Sequence, residues 1–395
     1  MAVEHSQRKH ALLSASKAER WLNCPPSARL EEKFNETHPP KTSIYAEEGT
    51  LAHELANVIL LHELGELTDK EFQNEKTRIE KDQLYSSEMP YEVQKFVDYV
   101  LEQYAAAKAI TPDAVCLIEQ TLDFSEYVEQ GVGIGDAVII ADGKMEVIDL
   151  KYGKGILVDP VENPQLSLYG LGAVHEYELM YEFDEVTLTI FQPRVDNCKS
   201  WTTTVDQLKT WGLKIVKPIA AKAYVGEGLH SAGPHCKWCS VKAMCYTLAQ
   251  QNIKLARKDF KEPELLTMKE LLDVFRQIPM LVDWANSVKD FLEAEAKEGK
   301  DIPGYKLVAG KANRKYTDEA GMRAKLLEMG YSEEDFLKTS LKGIPDVERL
   351  VGKAVFNKEL SPYWDKPEGA PTLVEESDPR PAYTPEARAK SDFSE

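Results

Sequence analysis

A predicted β-hairpin between residues 133 and 151 constrains the fold and the chemistry of this chain more than any other segment. Two runs rich in apolar and β-branched residues flank Asp142-Gly143, a dipeptide that favours a two-residue primed hairpin turn. Counting outward from the turn, the expected facing pairs are Ala141 with Lys144, Ile139 with Glu146, Ala137 with Ile148, and Asp136 with Asp149. Like charges facing each other across two strands, with Cβ atoms roughly 4.5–5.5 Å apart, are destabilising unless something neutralises them. The two carboxylates therefore predict a divalent metal ion.

Lys151 adds a positive charge beside these carboxylates. Because side chains alternate between the faces of a strand, Lys151 projects to the same side as Asp149. Carboxylates hold Mg²⁺ or Mn²⁺, such an ion activates water and neutralises charge on a phosphate, and an ammonium orients the nucleophile or supports the anion. The group suits phosphodiester hydrolysis. The alternative is a solvated hairpin on which these charges have no joint role.

Three motifs resemble, in this order, those of the PD-(D/E)XK nucleases, in particular the RecB branch. They are Gly-x-x-Asp from Gly133 to Asp136, Asp-x-Lys from Asp149 to Lys151, and Gln-x-x-x-Tyr from Gln165 to Tyr169. The resemblance covers roughly residues 10–250. It implies an α/β fold with a restriction-endonuclease-like core, in which helices flank a mixed central sheet, with a helical insertion and an α+β C-terminal region. It also implies that the two acids bind metal and that the lysine is catalytic.

The resemblance also assigns roles outside the hairpin. A helical Gly-x-x-x-His, from Gly49 to His53, precedes the hairpin in the order that the RecB branch uses, which makes His53 the third metal ligand. Without that order of motifs, a lone histidine on a helix is more often a core or surface residue than a metal ligand. Glu119, on the strand before the hairpin, is either linked to the metal or simply solvated. Gln165 and Tyr169 lie one helical turn apart, and the resemblance gives them a DNA-contacting role; the alternative is a half-buried polar helix face.

Three of the six cysteines form the spacing Cys-x2-Cys-x5-Cys, at Cys236, Cys239 and Cys245. In an intracellular protein, clustered cysteines are metal ligands more often than disulfides, and a closed site takes four ligands. Cys24, at the far end of the nuclease region, can supply the fourth. The pattern resembles the iron–sulfur nucleases of the RecB branch, including the AddB subunit and the CRISPR-adaptation nucleases, which implies a [4Fe-4S] cluster. Structural Zn²⁺ is the alternative, with His235 as an adjacent ligand.

The composition is that of a globular protein, but the charge raises an objection to DNA binding. The chain has 395 residues, 43% of them hydrophobic, and a formal net charge of −18, which disfavours contact with nucleic acid. Binding needs only a local basic groove, and basic residues do gather near the motifs. They are Lys151, Lys154, Arg194, Lys199, Lys209, Lys214, Lys217, Lys222, Lys237 and Lys242. Because no apolar run reaches about 18 residues and no apolar signal core is present, we expect a cytoplasmic protein that enters no membrane.

Local patterns predict the elements around the hairpin. They are a helix over 11–24 with Ser14 as N-cap, a helix from about Tyr45, a loop or solvated helical segment over 65–88, a helix over 91–109, a strand over 114–124, a helix over 163–174, and a strand from Val186 to Phe191. The expected core of the fold is therefore strand, strand, strand, helix, strand.

The sequence of the C-terminal third does not indicate a function for that part of the chain. Thr267 to Glu270 form a capping box that opens an amphipathic helix ending by Gly299. Further expectations are short strands over 304–308 and 311–316, small helices over 318–329 and 332–357, and a disordered tail over 361–395. The expected division is a nuclease domain at 1–250, a mostly helical domain at 251–360, and the tail.

The leading hypothesis is a metal-dependent DNA nuclease, more specifically an exonuclease. The arrangement is similar to that of phage and prophage proteins encoded beside recombination genes, which implies resection of DNA ends together with a single-strand annealing protein. A structure-specific endonuclease and a non-catalytic DNA-binding scaffold for recombination are the alternatives.

Overall fold

The computed structural model describes residues 11–40, 43–256 and 267–306, and a few isolated positions beyond them. The chain divides into two compact units, Met1–Val308 and Ala309–Glu395. The helices and strands of the three described ranges all belong to the first unit. The expected domain boundary at residue 250 stays a prediction.

A five-stranded mixed sheet forms the centre of the first unit. Its strands are β1 (Val115–Asp123), β2 (Val132–Ala141), β3 (Gly143–Leu150), β4 (Phe183–Gln192) and β5 (Asn197–Thr204), which lie in this order across the sheet. Neighbouring strands are antiparallel except for β3 and β4, which are parallel and connected through helix α6 (Pro164–Tyr177). The predicted order of strands and helix is confirmed. β5 was not predicted, because its residues are mostly polar, as befits a sheet edge.

Helices cover both faces of the sheet. They are α1 (Ala18–Asn23), α2 (Ser27–Thr37), α3 (Ile44–Glu63), α4 (Asp69–Glu80), α5 (Met89–Ile110), α7 (Val205–Trp211), α8 (Lys217–Val225), α9 (Tyr246–Ala256) and α10 (Met268–Lys297), in addition to α6. One hydrophobic core lies between the sheet and the pair α3 and α5. The second core lies on the other face, under α6, α1, α7 and α8. The expected α/β architecture, a mixed central sheet flanked by helices, is confirmed.

The hairpin has the predicted register but a different turn. Ala141 pairs with Lys144, and the ladder continues in the expected register as far as Ala137 with Ile148. Gly143 has a φ of +74° whereas Asp142 does not have a positive φ, and both primed turn types need a positive φ at Asp142. Gly143 also donates its N–H to the carbonyl of Glu182, at 2.9 Å, and pairs with the start of β4. The predicted primed turn is therefore wrong, because contacts with the next strand determine the conformation of the turn.

The N-terminal helix also differs from the prediction. A 3₁₀ turn, Ala15–Lys17, precedes α1. Ser14 has the extended backbone of an N-cap, but its side chain makes no capping hydrogen bond. Its carbonyl accepts the indole N–H of Trp21 at 3.1 Å instead. The capping role predicted for the Ser14 side chain is wrong, and α2, which follows directly on Pro25-Pro26, was not predicted.

The polar stretch 65–88 and the C-terminal helix follow their capping signals. Thr68 and Glu71 form a capping box that opens α4, and Thr267 and Glu270 form one that opens α10. None of the residues of α10 is buried. Gly304 to Lys306 form no strand, and the predictions for 311–316, 318–329, 332–357 and 361–395 lie outside the described residues but for isolated positions. In the part of the chain that the structure describes, no helix is both long enough and apolar enough to span a membrane.

Candidate functional site

His53 and Asp136 meet where β2 stops pairing with β3. Counted from the turn, the last pair of the ladder is Ala137 with Ile148. Asp136 and Asp149, the next pair that the register predicts, are therefore not paired. The Asp136 carboxylate accepts the backbone N–H of Leu150 through Oδ2 at 2.7 Å. Its Oδ1 lies 2.8 Å from Nδ1 of His53, which α3 carries to the sheet. A carboxylate thus takes the place of a strand-to-strand hydrogen bond and binds an imidazole at the same time.

Asp149 and Lys151 form the second half of the site. Nζ of Lys151 lies 2.8 Å from Oδ2 of Asp149. Gln165, in the first turn of α6, donates from Nε2 to Oδ1 of Asp149 at 3.4 Å. The first turn is positioned by Asn163, whose side chain accepts the backbone N–H groups of Gln165 and Leu166. The Asp149 side chain is 5% exposed and that of Lys151 is 30% exposed, so the ammonium can meet a substrate while the carboxylate is held below it.

Burial and mutual charge shift the four ionisable groups in opposite directions. Burial disfavours the charged form of His53, yet the Asp136 carboxylate raises the pKa of His53. Burial also disfavours the ionised Asp136, but His53 and the N–H of Leu150 lower the pKa of this carboxyl. Burial raises the pKa of Asp149, and Asp136 adds to the rise; burial opposes the Lys151 ammonium, but Asp149 raises its pKa. Two carboxyls whose pKa values are pushed apart are typical of functional sites.

Tyr169 lies one helical turn after Gln165 and packs against the start of the motif on β2. Its hydroxyl accepts a hydrogen bond from Nε2 of Gln165 at 3.2 Å. A Cβ atom placed on Gly133 would stand 2.4 Å from Cε1 of the Tyr169 ring, so only glycine fits there. Burial, with help from the Asp149 charge, raises the pKa of Tyr169 to about 12. The structure therefore brings Gln165 and a neutral phenol to the carboxylate, and it explains the glycine of Gly-x-x-Asp.

Glu119 lies on β1 opposite Asp136. The two strands pair on either side of this position, Ile118 with Ala137 and Gln120 with Gly135. Glu119 itself has a φ of +53°, a left-handed conformation that costs a residue other than glycine about 1–3 kcal/mol and that clusters at functional sites. Its side chain lines a small cavity together with His53 and Asp136. Three acids therefore stand at one level across β1, β2 and β3.

A second charged cluster borders the site and was missed by sequence reasoning. Arg194, in the turn after β4, donates from Nη1 to both carboxylate oxygens of Glu48 at 3.1 Å. Its guanidinium carbon lies 4.6 Å from the centroid of the Tyr152 ring. Because Glu48 is on the helix of His53 and Tyr152 follows Lys151, the cluster ties both halves of the site together. In the sequence, Arg194 is only one of many basic residues near the motifs, and no spacing signal links it to Glu48.

The donor set suits a hard divalent cation. Carboxylate oxygens and an imidazole nitrogen are ligands that Mg²⁺ and Mn²⁺ accept, and Glu119, Asp136, Asp149 and His53 offer them. Oδ2 of Asp149 is buried and, among the described residues, has the Lys151 ammonium beside it but no partner in hydrogen-bond geometry. Within the described ranges, no three His, Cys, Asp or Glu side chains stand close enough together to hold one ion as they are.

Four cysteines from the two ends of the unit line one cavity: Cys24, Cys236, Cys239 and Cys245. Cys24 ends α1, and the other three lie in the segment from the 3₁₀ turn Pro234–Trp238 to the start of α9. None of the four is in a disulfide, and all but Cys245 are buried. Burial raises the pKa of Cys24 and of Cys236, and it raises the pKa of Cys239 to about 12. Such thiols ionise when a cation displaces their protons.

His235 lines the same cavity, whereas the two remaining cysteines lie elsewhere. Nε2 of His235 donates to the carbonyl of Ser231 at 3.0 Å, which leaves Nδ1 as the ring nitrogen that could bind a metal. Cys116 packs in the core under α3 and α5, where burial raises its pKa to about 12. Cys198 is exposed on β5.

Comparisons with known proteins place the chain in a family. A crystal structure from Eubacterium rectale, named as that of a candidate exonuclease, is 13% identical; the match covers 69% of this chain and 98% of that one, with a TM-score of 0.33. The crystal structure of SSO0001 is 15% identical over 55% of this chain and 95% of that one, with a TM-score of 0.22. The model of the family described as "Protein of unknown function (DUF2800)" matches residues 10–381. The chain belongs to this family.

Proposed function

We propose that the protein is a metal-dependent deoxyribonuclease whose site is built from His53, Asp136, Asp149 and Lys151. One observation carries the proposal: two charged pairs, His53 with Asp136 and Lys151 with Asp149, each with its atoms 2.8 Å apart, lie where β2 and β3 stop pairing. The Asp136 carboxylate also accepts the N–H of Leu150, the residue next to Asp149, at 2.7 Å. Burial of these charged groups costs folding stability through lost solvation, and a role in catalysis would account for their presence. Hydrolysis of a phosphodiester needs this combination of acids, a divalent cation and a positively charged side chain.

The residues divide the work according to their environment. A divalent cation bound by Asp136 and Asp149, with His53 and Glu119 beside them, would supply water activation and charge neutralisation. Asp136 stays ionised because His53 and the N–H of Leu150 stabilise its anion. Lys151, which is held by Asp149 and is partly exposed, presents its ammonium to the anionic oxygens of the phosphate.

The helix α6 supplies the contacts to the substrate strand in this proposal. The Gln165 amide orients Asp149, and the Tyr169 phenol stays protonated and can donate to a phosphate or sugar oxygen. The net charge of −18 is compatible with this role, because a cation bridging protein and phosphate replaces part of a basic groove. The substrate class of the proposal is therefore DNA, bound by its backbone.

We assign an exonuclease within this class, one that resects DNA ends in the cytoplasm of the host cell with a single-strand annealing protein as its partner. This assignment rests on the resemblance of the motifs to the RecB branch. The distinguishing substrates are a covalently closed circle and an end-labelled linear duplex of the same sequence, each with Mg²⁺ or Mn²⁺. Degradation of the linear duplex alone supports an exonuclease, whereas cutting of the closed circle favours a structure-specific endonuclease.

The non-catalytic scaffold is the rival from another class. Such a protein needs no buried pair of acids and no ammonium set against them, since both features cost stability. Wild-type protein that binds DNA but leaves every substrate intact with either metal would support the scaffold and overturn the nuclease.

A structural metal centre completes the proposal. The four cysteines around one cavity suit a [4Fe-4S] cluster, with Zn²⁺ as the alternative. His235 lines the same cavity, and because its Nε2 donates to the carbonyl of Ser231, its Nδ1 could serve as a ligand in the Zn²⁺ alternative.

A further inference from the structure

Two buried charged residues near the N-terminus hold the backbone on both sides of Cys239. Nη1 of Arg20 donates to the carbonyl of Trp238 at 2.7 Å. Oε1 of Glu31 accepts the N–H of Ser240 at 2.7 Å. Arg20 and Glu31 also pair with each other, Nη2 to Oε2, at 2.8 Å. The residue between the two anchored backbone groups is Cys239 itself.

The same pair brackets Cys24 along the chain. Arg20 is on α1, and its backbone carbonyl accepts the N–H of Cys24 at 2.8 Å. Glu31 is on α2, the helix that begins after Cys24, and Ser27 at its start donates its N–H to the carbonyl of Cys24 at 2.9 Å. The backbone of Cys24 is therefore fixed by the two helices that carry the charged pair.

We propose that Arg20 and Glu31 form a clamp that sets the distance between Cys24 and Cys239 before the metal centre is loaded. The proposal rests on the proposed four-cysteine centre and deepens it. The clamp spans 218 residues from Arg20 to Trp238, and it connects the backbone beside Cys239 to the two helices that flank Cys24. Both residues are positioning residues, because they act through the backbone of a ligand.

The energetics favour a positioning role over a purely stabilising one. Arg20 and Glu31 are 8% and 4% exposed, and a buried ion pair generally adds little net stability compared with apolar residues of similar size. An apolar pair, however, can neither donate to the carbonyl of Trp238 nor accept the N–H of Ser240. What the ion pair provides is a defined geometry for the loop, with the polar groups of the backbone satisfied.

The clamp is distinct from a second tie on the same loop. Lys242 donates to the carbonyl of Lys237 at 2.8 Å and pairs with Asp283 of α10 at 3.1 Å. Lys242 belongs to the cysteine segment itself, so it shapes this segment without reaching Cys24. Holding the two distant ends of the site together is thus assigned to Arg20 and Glu31.

The test uses Co²⁺ as the probe, because thiolate-to-cobalt charge-transfer bands report cysteine ligation whatever metal the protein carries in the cell. The full chain is stripped of metal, reduced and titrated with Co²⁺. The decisive variant is Arg20→Met/Glu31→Met, which removes both charges together and so leaves no unpaired buried charge. Arg20→Lys and Glu31→Gln are the milder single changes. Glu32→Gln is the matched control, since Glu32 lies next to Glu31 on α2 in a half-exposed pair with Arg29.

We expect the metal-free double variant to fold, with a lower unfolding temperature than the metal-free wild type because the carbonyl of Trp238 and the N–H of Ser240 lose their partners. It should bind Co²⁺ about 10–100-fold more weakly, the range typical of losing a side chain that positions a metal ligand. The single variants should be intermediate, and Glu32→Gln should bind like wild type. Wild-type affinity in a folded double variant, or in both single variants should the double variant not fold, overturns the clamp. Absence of charge-transfer bands in the wild type overturns the four-cysteine centre and the clamp with it, whatever the nuclease assay shows.

Discussion

The carboxylate of Asp136 accepts the backbone N–H of Leu150 at 2.7 Å, at the point where β2 and β3 cease to pair. The side chain thereby replaces the missing ladder bond and fixes the separation of the strands that carry the two acids. We expect Asp136→Ala to lower the free energy of unfolding by about 1–3 kcal/mol, because the N–H of Leu150 loses its partner. Urea unfolding measures the difference, and a variant as stable as wild type would show that the hydrogen bond is unimportant for the fold.

Because Lys151 pairs with Asp149 and is partly exposed, we expect its replacement to change the rate of DNA hydrolysis rather than the stability of the protein. Lys151→Ala removes the ammonium that faces the substrate, and we expect kcat on linear DNA to fall by about 10²–10³-fold. Lys144→Ala is the matched control, since Lys144 is an exposed lysine near the start of β3, the strand that Lys151 directly follows. Single-turnover assays with Mg²⁺ compare the two, with circular dichroism to confirm that both are folded. Equal rates in both variants would remove Lys151 from the proposed chemistry.

Two glycines of the motifs should respond in opposite ways. Gly133→Ala places a Cβ atom 2.4 Å from the Tyr169 ring, so we expect it to displace the ring, to cost about 1–3 kcal/mol of stability and to lower activity. Gly49→Ala meets no described atom within 4 Å and should stabilise the helix by about 0.5–1 kcal/mol. If DNA approaches His53 through the space beside Gly49, this second variant loses activity although it gains stability. Thermal unfolding paired with the nuclease assay separates the two effects.

Metal binding should strengthen as pH rises. Despite burial, Asp136 raises the pKa of His53, so the imidazolium persists to a higher pH than that of a free histidine. A protonated imidazole cannot bind a cation, and the affinity for Mn²⁺ should therefore increase as pH rises through this pKa. Calorimetric titration of wild type and of His53→Asn checks the prediction, since the variant should lose this pH dependence. An equally steep dependence in both proteins would exclude His53 as its source.

The cysteines predict a visible property. Anaerobically purified protein with a [4Fe-4S] cluster should be brown, with broad absorbance near about 400 nm and about four iron and four sulfide per chain. Cys239→Ser should lose colour, stability and nuclease activity together, whereas Cys116→Ser and Cys198→Ser should keep the colour. A colourless protein with one zinc per chain would replace the cluster by Zn²⁺ and keep the four-cysteine site. Metal-free protein with full activity would refute both forms of the centre.

Local patterns in the sequence determined the hairpin register, the order of the strands with α6 between them, and the two capping boxes of α4 and α10. These features depend on the alternation of residues along a strand or on contacts within one helical turn, which neighbouring residues specify. The spacing of Asp149 and Lys151 identified residues that the fold brings together, because residues so close in sequence at one strand end have little freedom. The spacing Cys-x2-Cys-x5-Cys identified three of the four cysteines that line one cavity.

Only the tertiary structure decided how those residues are held. The separation of β2 from β3 at Asp136, the position of Glu119 opposite it, and the turn conformation at Gly143 all depend on neighbouring strands. The pair of Arg194 with Glu48 joins residues 146 apart, and the clamp from Arg20 reaches across 218. No periodicity connects positions so distant, since their contact arises from the packing of whole helices against the sheet. The sequence therefore indicated which side chains the proposed chemistry uses, and packing determined which other side chains hold them in place.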